Sequence, residues 1–311
     1  MRVFDQYDLL QWLEAEGLEA VLRKNKQYFC PKSADQIVTI LKKKSRKQSL
    51  VLNRPVIDIV KRDGYFYLKT VQKSYKAEHV VIASGGLSFP LLGAGDFGYR
   101  IAESFGHTIT HTAPALVGLT LQKEQFFFKE LSGISVEVEI KVGGQLCSGS
   151  LLFAHKGISG PAVLDASLYW EKGRIEINFL PDWNLQEYQD SGKLLSSVLP
   201  LPKRVNRAFL KQLKIPDRPV NQLKPVEKER LLGLKQYAFS PAGTFGYSKA
   251  EVTKGGINTD EIDSKTMMSK KCDGLYFIGE VVDVTGRLGG YNFQWAFSSA
   301  YVCAEALKQV D

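Results

Sequence analysis

Residues 275–307 read LYFIGEVVDVTGRLGGYNFQWAFSSAYVCAEAL. The stretch opens on an unbroken apolar run, Leu275–Ile278, which reads as a strand buried on both faces, as in a parallel sheet with helices on each side. The run stops on Gly279. A turn-rich loop then ends in Gly289-Gly290, and a helical pattern follows from about 292 to 309. Residues 80–86, VVIASGG, repeat the first half of this arrangement: a buried strand halted by glycine. Two such strands predict an α/β domain. Cofactors lie at the carboxyl edge of parallel sheets. Glycine there lets a flat ring or phosphate chain approach the backbone, and a helix N-terminus offers free N–H groups and positive potential. Glu280, at the strand end, could accept hydrogen bonds from sugar-like hydroxyls. The same glycines also suit tight turns beside a core strand, and the residues alone leave both readings open.

A third glycine cluster spells a dinucleotide-binding motif. LLGAGDFGYRIAESFGH, residues 91–107, contains Gly93-x-Gly95-x-x-Gly98 and then a helical run. A working fingerprint needs a strand running into the first glycine, a helix opening at the last, and an acid about 20 positions on. Here the strand ends at Ala83, and Ser84 to Leu92 intervene, Pro90 among them. No acid occurs between Glu103 and Glu124, and Asp96 would oppose a pyrophosphate. The expectation is a glycine turn capping a helix over 98–106.

Helical spacing covers 6–24 and 33–47, the second with Ser33 as a candidate cap. Strands are expected at 49–60, 63–71 and 78–84, with Arg62-Asp63-Gly64 as a turn between the first two. After 112 the texture becomes strand-like: Val136, Val138 and Ile140 alternate with glutamates, and RIEINFLPD adds another strand. Residues 185–238 turn helical and polar, including KRVNRAFLKQL, and prolines break them into short pieces. The expected organisation is 1–112, an inserted β-rich unit over 113–249 with its helical segment at about 185–238, and 250–311 rejoining the first part.

Composition narrows the function classes. Hydrophobic residues are 44% and charged residues 24%, an ordinary balance for a folded domain. No apolar stretch approaches the ~20 residues of a membrane span. The start, MRVFDQYDLLQWLEAEG, has no signal-peptide pattern, so a cytoplasmic location is the default expectation. Cys30, Cys147, Cys272 and Cys303 form no C-x-x-C pair, and the four histidines show no ligand spacing, so no metal is expected. The net charge of +8 concentrates in LKKKSRKQ, residues 41–48, which reads as a solvated helix end. Without aromatic–basic interleaving or a known binding module, a small-molecule substrate is favoured over nucleic acid.

The chain resembles FAD-dependent oxidoreductases of the aminoacetone-oxidase-like, NAD(P)/FAD-dependent type. The likeness rests on YFCPKSADQIV (28–38), VVIASGGLSFPLLGAGDFGYRIAESFGHTI (80–109), LLFAHKGISGPAVL (151–164), AEVTKGGINTDEIDSKTMMSK (250–270) and GLYFIGEVVDVTGRLGGYNFQWAFSS (274–299). It implies an FAD-binding Rossmann-like domain carrying inserted β-rich and helical parts. Position by position, it implies that Ser84, Gly85 and Gly86 lie close to FAD. Gly279 and Glu280 would face its ribityl and pyrophosphate region. Gly289, Gly290, Tyr291 and Asn292 would face the flavin ring, and Val56 would offer backbone to adenine. The family's opening strand, G-x-G-x-x-G and helix have no counterpart in residues 1–311. The expectation is therefore a truncated family member with an incomplete Rossmann-like domain and impaired cofactor binding. The implied reaction is flavin redox chemistry, with a nicotinamide as a candidate electron donor. His155 and Tyr291 are the candidate proton-transfer residues. The alternatives are an inactive fragment, or a basic binding protein that uses the inserted unit.

Overall fold

A computed structural model describes residues 3–23 and 27–309. The fold is mixed α/β, and the chain divides into two compact units, residues 1–113 with 252–311 and residues 114–251.

The first unit is organised by the parallel pairing of Val80–Ile82 with Leu275–Phe277, in the register Leu275↔Val80, Tyr276↔Val81 and Phe277↔Ile82. Both strands are short and apolar, as the sequence implied, but their covering differs. Leu275, Tyr276 and Phe277 are all buried, whereas Val81 is 37% exposed between buried Val80 and Ile82. Successive strand residues face opposite sides, so the 80–82 strand is covered on one side alone. A three-stranded antiparallel meander runs Val56–Arg62, Tyr65–Thr70, Ser74–Ala77. Asp63 and Gly64 both adopt positive φ (50° and 82°), the geometry of a tight turn whose twist matches its flanking strands.

Element boundaries depart from the expected ones for local reasons. The helix expected over 6–24 spans Gln6–Ala15, and Gly17 at φ 83° turns the chain out of it. The strand expected from 49 begins at Val56. Pro55 has no N–H for a ladder, and Asn53 sits at positive φ. The helix expected over 33–47 spans Asp35–Lys44 and tightens into a 3₁₀ turn over Ser45–Lys47. The Ser33 hydroxyl accepts from the Asp35 N–H at 3.2 Å.

The far side of Leu275–Phe277 is closed by residues 267–269, where the N–H groups of Phe277 and Ser269 donate to the carbonyls of Met267 and Leu275. A buried polar chain supports this edge. His107 Nε2 lies 2.7 Å from Ser269 Oγ and its Nδ1 3.2 Å from Glu261 Oε2. Ser269 Oγ also accepts the N–H groups of Lys271 and Cys272. Glu261 accepts from the Thr108 N–H and hydroxyl and from Lys271 Nζ. Ser269 is 1% exposed, so this Ser–His–Glu chain joins segments and presents no nucleophile.

The second unit is a seven-stranded antiparallel sheet, ordered Tyr237–Phe239, Ile175–Asn178, Ser135–Val142, Gln145–Ala154, Gly157–Ser159, Leu119–Thr120, Gly243–Thr244. Val136, Val138, Ile140 and Val142 point into its core, and helix Pro161–Tyr169 buries Ala162, Val163 and Ala166. Fully buried Phe128 packs edge-on against Phe153 at 5.0 Å and Phe209 at 6.0 Å. Among the described residues, no helix is long and apolar enough to cross a membrane.

The His107–Glu261 network makes stability sensitive to acid. Burial pushes the His107 imidazole below its ordinary value, against the opposing pull of Glu261. The Lys271 ammonium, with Thr108, holds Glu261 down to about 2. Both folded-state values lie below the unfolded ones, so this stabilisation is complete at neutral pH and declines as pH falls. The decline starts near the ordinary histidine value of about 6.5 and continues through Glu261 from 4.5 to about 2. We expect the thermal midpoint to fall on acidification. His107→Gln should flatten the upper part of that fall and leave the lower part. Identical slopes in both proteins would show that His107 does not titrate against folding.

Candidate cofactor site

The carboxyl ends of the two parallel strands meet through a buried polar knot. Gly86 lies where a Cβ would stand 2.5 Å from both Glu280 Oε1 and Thr253 Oγ1. Glu280 Oε1 accepts the Thr253 N–H at 2.8 Å. Thr253, 1% exposed, uses its hydroxyl oxygen to accept the N–H of Leu87 at 2.7 Å and of Ser88 at 3.1 Å. Burial pushes the Glu280 carboxyl up, while the Thr253 N–H and hydroxyl pull it back. Two of the residues expected at the cofactor, Gly86 and Glu280, therefore lie together. The contact that requires glycine at 86 is with protein, and Glu280 already serves as an internal acceptor.

Ser84 turns a different way. A Cβ on Gly98 would collide with Ser84 Oγ and lie 2.8 Å from Val281 Cγ2. Gly98 thus serves the close packing of helix Phe97–Ser104 on the sheet, and Gly93, at φ 95°, ends a 3₁₀ turn. Gly85 stands at φ 72° with open space at its Cβ position.

The second strand end is fixed to the long helix Tyr291–Leu307. The Gly279 N–H donates to Ser299 Oγ at 3.0 Å, and its carbonyl accepts from Trp295 Nε1 at 2.9 Å. Trp295 and Ser299 are four apart and so share one helix face. The chain between is folded into a closed turn. The Asn292 side chain accepts from the Gly286 N–H at 2.8 Å and donates to the Gly286 carbonyl at 3.0 Å. Gly286 must lack a Cβ, which would lie 2.5 Å from that of Tyr291. Gly289 and Gly290 follow at φ 130° and 92°, and Gly290 starts the helix with no side chain capping it. Open space surrounds the Gly290 Cβ position, and Tyr291 is 56% exposed.

These features fit a flat, electron-rich group at the helix mouth. Gly290, as the N-cap residue, has no side chain with which to cap the first-turn N–H groups. Just before this turn, the buried Thr285 Oγ1 has no hydrogen-bond partner among the described residues, a donor left over by their own contacts. Other expected residues lie on other elements. Val56 opens an outer strand of the meander, paired with Thr70 at a register shift. His155 is exposed at a turn of the second unit. A separate apolar cavity of about 190 Å3 lies among Phe4, Ile262, Met267, Trp295 and Val302. It is smaller than the ~300–1,000 Å3 of ordinary ligand pockets, and none of the expected cofactor residues lines it. Thr253, Thr285, Trp295 and Ser299 were not singled out in the sequence. Only the Trp295–Ser299 spacing carried a readable signal.

Residues 1–306 match the HI0933-like protein Rossmann domain. The chain belongs to this family. Its members are of the FAD/NAD(P)-binding Rossmann type. The chain is 40% identical to a ribosomal RNA dihydrouridine synthase of Escherichia coli strain K12, over 98% of this chain and 80% of that protein. It is 38% identical to the enzyme of the same name from Haemophilus influenzae, with the same coverage. It is 27% identical to a 3-dehydro-bile acid delta(4,6)-reductase of Clostridium scindens, over 99% of this chain and 82% of that one.

The Thr253 knot yields a direct test. Thr253→Val keeps the shape but leaves the Leu87 and Ser88 N–H groups without their acceptor. The expected cost is about 1–3 kcal/mol in urea unfolding, with faster amide exchange at residues 87 and 88. A loss below about 0.5 kcal/mol, the range of ordinary surface changes, would show that the hydroxyl does not hold this loop.

Proposed function

We propose that this chain is an FAD-dependent reductase that saturates a carbon–carbon double bond conjugated to a carbonyl, with uracil in RNA as its substrate class. The observation that carries the redox reading is the Gly286–Asn292 turn. It is clamped on itself, opens a helix whose N-cap is a glycine, and is tied through Trp295 and Ser299 to the end of a parallel strand. The relatives' names support the substrate class. Dihydrouridine is uridine with its ring double bond reduced, and the bile-acid enzyme is also named for reducing double bonds.

Bound FAD would supply the hydride, replenished by a nicotinamide donor. The protein's part is placement. Gly289, Gly290 and the first-turn N–H groups would receive the ring and favour negative charge on it. Thr285 would donate to a ring or ribityl oxygen, and Gly85 would leave room beside the strand end. Glu280 and Gly86 would act from beneath by fixing that edge. Tyr291, exposed beside the turn, is assigned as the proton donor that completes the addition. A cytoplasmic setting suits four cysteines that form no disulfide.

A second reading takes a small molecule as substrate, favoured by the bile-acid relative; amine oxidation, implied by the aminoacetone-oxidase likeness, is its other form. One experiment addresses all of these. The purified chain is titrated with FAD, reduced anaerobically with NADPH, and offered uridine-containing RNA or a 3-keto-Δ4 steroid. Aminoacetone is tested separately as a reductant of the oxidised protein. Reoxidation by RNA, with a gain of two hydrogens on uracil by mass spectrometry, is expected, and Tyr291→Phe should slow that step without weakening FAD binding. Asn292→Ala should weaken FAD binding roughly tenfold, the equivalent of ~1.4 kcal/mol. A visible spectrum unchanged by excess FAD would overturn the flavoprotein reading. Turnover with the steroid or aminoacetone alone would move the substrate assignment.

A further inference from the structure

Helix Lys203–Leu213 of the second unit, KRVNRAFLKQL, carries a one-signed outer face. Its inner face is locked into the core: Val205, Asn206, Phe209 and Leu210 are buried. Phe209 packs 4.8 Å from Phe179. The Asn206 amide donates to the carbonyls of Ser196 and Leu201. Lys203, Arg204, Arg207 and Lys211 are exposed, as is Lys214 just beyond the last turn. No Asp or Glu occurs from Ser191 to Pro216. Among the described residues, none of these five side chains forms an ion pair; Arg204 donates only to the Glu130 carbonyl. The other basic helix end differs, since Lys43 and Lys44 both pair with Glu16.

Lys203, Arg207 and Lys211 recur every four residues, so they form one stripe with charges about 6 Å apart along the axis. With Arg204 and Lys214 the row extends about 16 Å. Uncompensated like charges repel one another. Holding five of them on a rigid helix favours a partner with a matching row of negative charge. The apolar side of the helix is committed to the core, so it cannot enter a lipid surface as amphipathic anchors do. The outer face also lacks the aromatic and apolar anchors on which protein interfaces depend.

We propose that this face binds the phosphate backbone of the RNA substrate, an inference that rests on the RNA reading above. It specifies where the backbone is gripped and leaves base selection to other residues, because phosphate contacts position and base contacts specify.

The test is anisotropy titration of a fluorescein-labelled, uridine-containing RNA hairpin with the full chain over a series of KCl concentrations. The variant Lys203→Gln/Arg207→Gln/Lys211→Gln is compared with Lys123→Gln/Lys172→Gln/Lys249→Gln, which removes the same net charge from exposed positions elsewhere in the unit. Loss of three phosphate contacts should flatten the slope of log K against log salt by about 2, and weaken binding roughly a hundredfold at 0.1 M salt, at ~0.7 per contact. The control should stay near wild type, and circular dichroism should show both variants folded. If wild type binds RNA and the helix variant binds equally well, or the control loses as much, the helix assignment falls while the RNA reading stands. If wild type shows no salt-dependent RNA binding, the RNA reading and this inference fall together, leaving the flavin reading intact. Labelled polyglutamate binding the same face more tightly than RNA would overturn the proposal in favour of an acidic protein.

Discussion

The contact of Gly86 with Glu280 and Thr253 is the constraint from which the first unit's geometry follows. A carboxylate taken out of water is costly unless donors meet it. Here one threonine supplies both an N–H and a hydroxyl, and its hydroxyl oxygen is in turn held by the N–H groups of Leu87 and Ser88. Three segments distant in sequence are thereby drawn to one point at the carboxyl edge of the parallel pair. The position of Gly279, and through Trp295 and Ser299 that of the long helix, is then set. Open space stands at the Cβ positions of Gly85 and Gly290, and among the described residues of this unit the buried atoms Thr285 Oγ1 and His79 Nδ1 have no hydrogen-bond partner.

The two units are stabilised differently. The second has a dense aromatic centre around Phe128, with Phe153, Phe179 and Phe209 each against it and Phe179 also against the other two. The first divides its core into two separate, smaller apolar clusters and adds long-range polar links, His107–Ser269 and Thr110–Asp283 among them. It also turns large apolar side chains outward: Leu91, Leu92 and Phe293 are 95%, 84% and 76% exposed. The candidate cofactor residues lie in this loosely cored unit, and the basic helix lies in the densely cored one.

The sequence made legible what depends on neighbours in the chain. The tight turn at Asp63-Gly64 follows from residue type, and the apolar runs at 80–82 and 275–277 follow from pattern. The alternation at Val136–Ile140 and the amphipathic KRVNRAFLKQL follow from periodicity. The failure of Gly93-x-Gly95-x-x-Gly98 as a phosphate cradle was legible from the missing strand before it, and in the structure Gly98 packs the helix against the strand end. What stayed hidden was pairing across distance. Nothing near Gly86 announces that its partner is Glu280, and nothing near Ser269 announces His107. Buried Thr253 looks like any strand threonine until the loop at 87–88 closes on it.

Positions 86, 253 and 280 consequently behave as a single heritable character. A bulkier residue at 86 can be accommodated only where the acid or the threonine shrinks or withdraws, and either retreat strands the amides beyond it. Homologous chains should therefore vary at these three sites in concert or not at all, and grafting one of them alone from a relative would import a mismatch rather than a property.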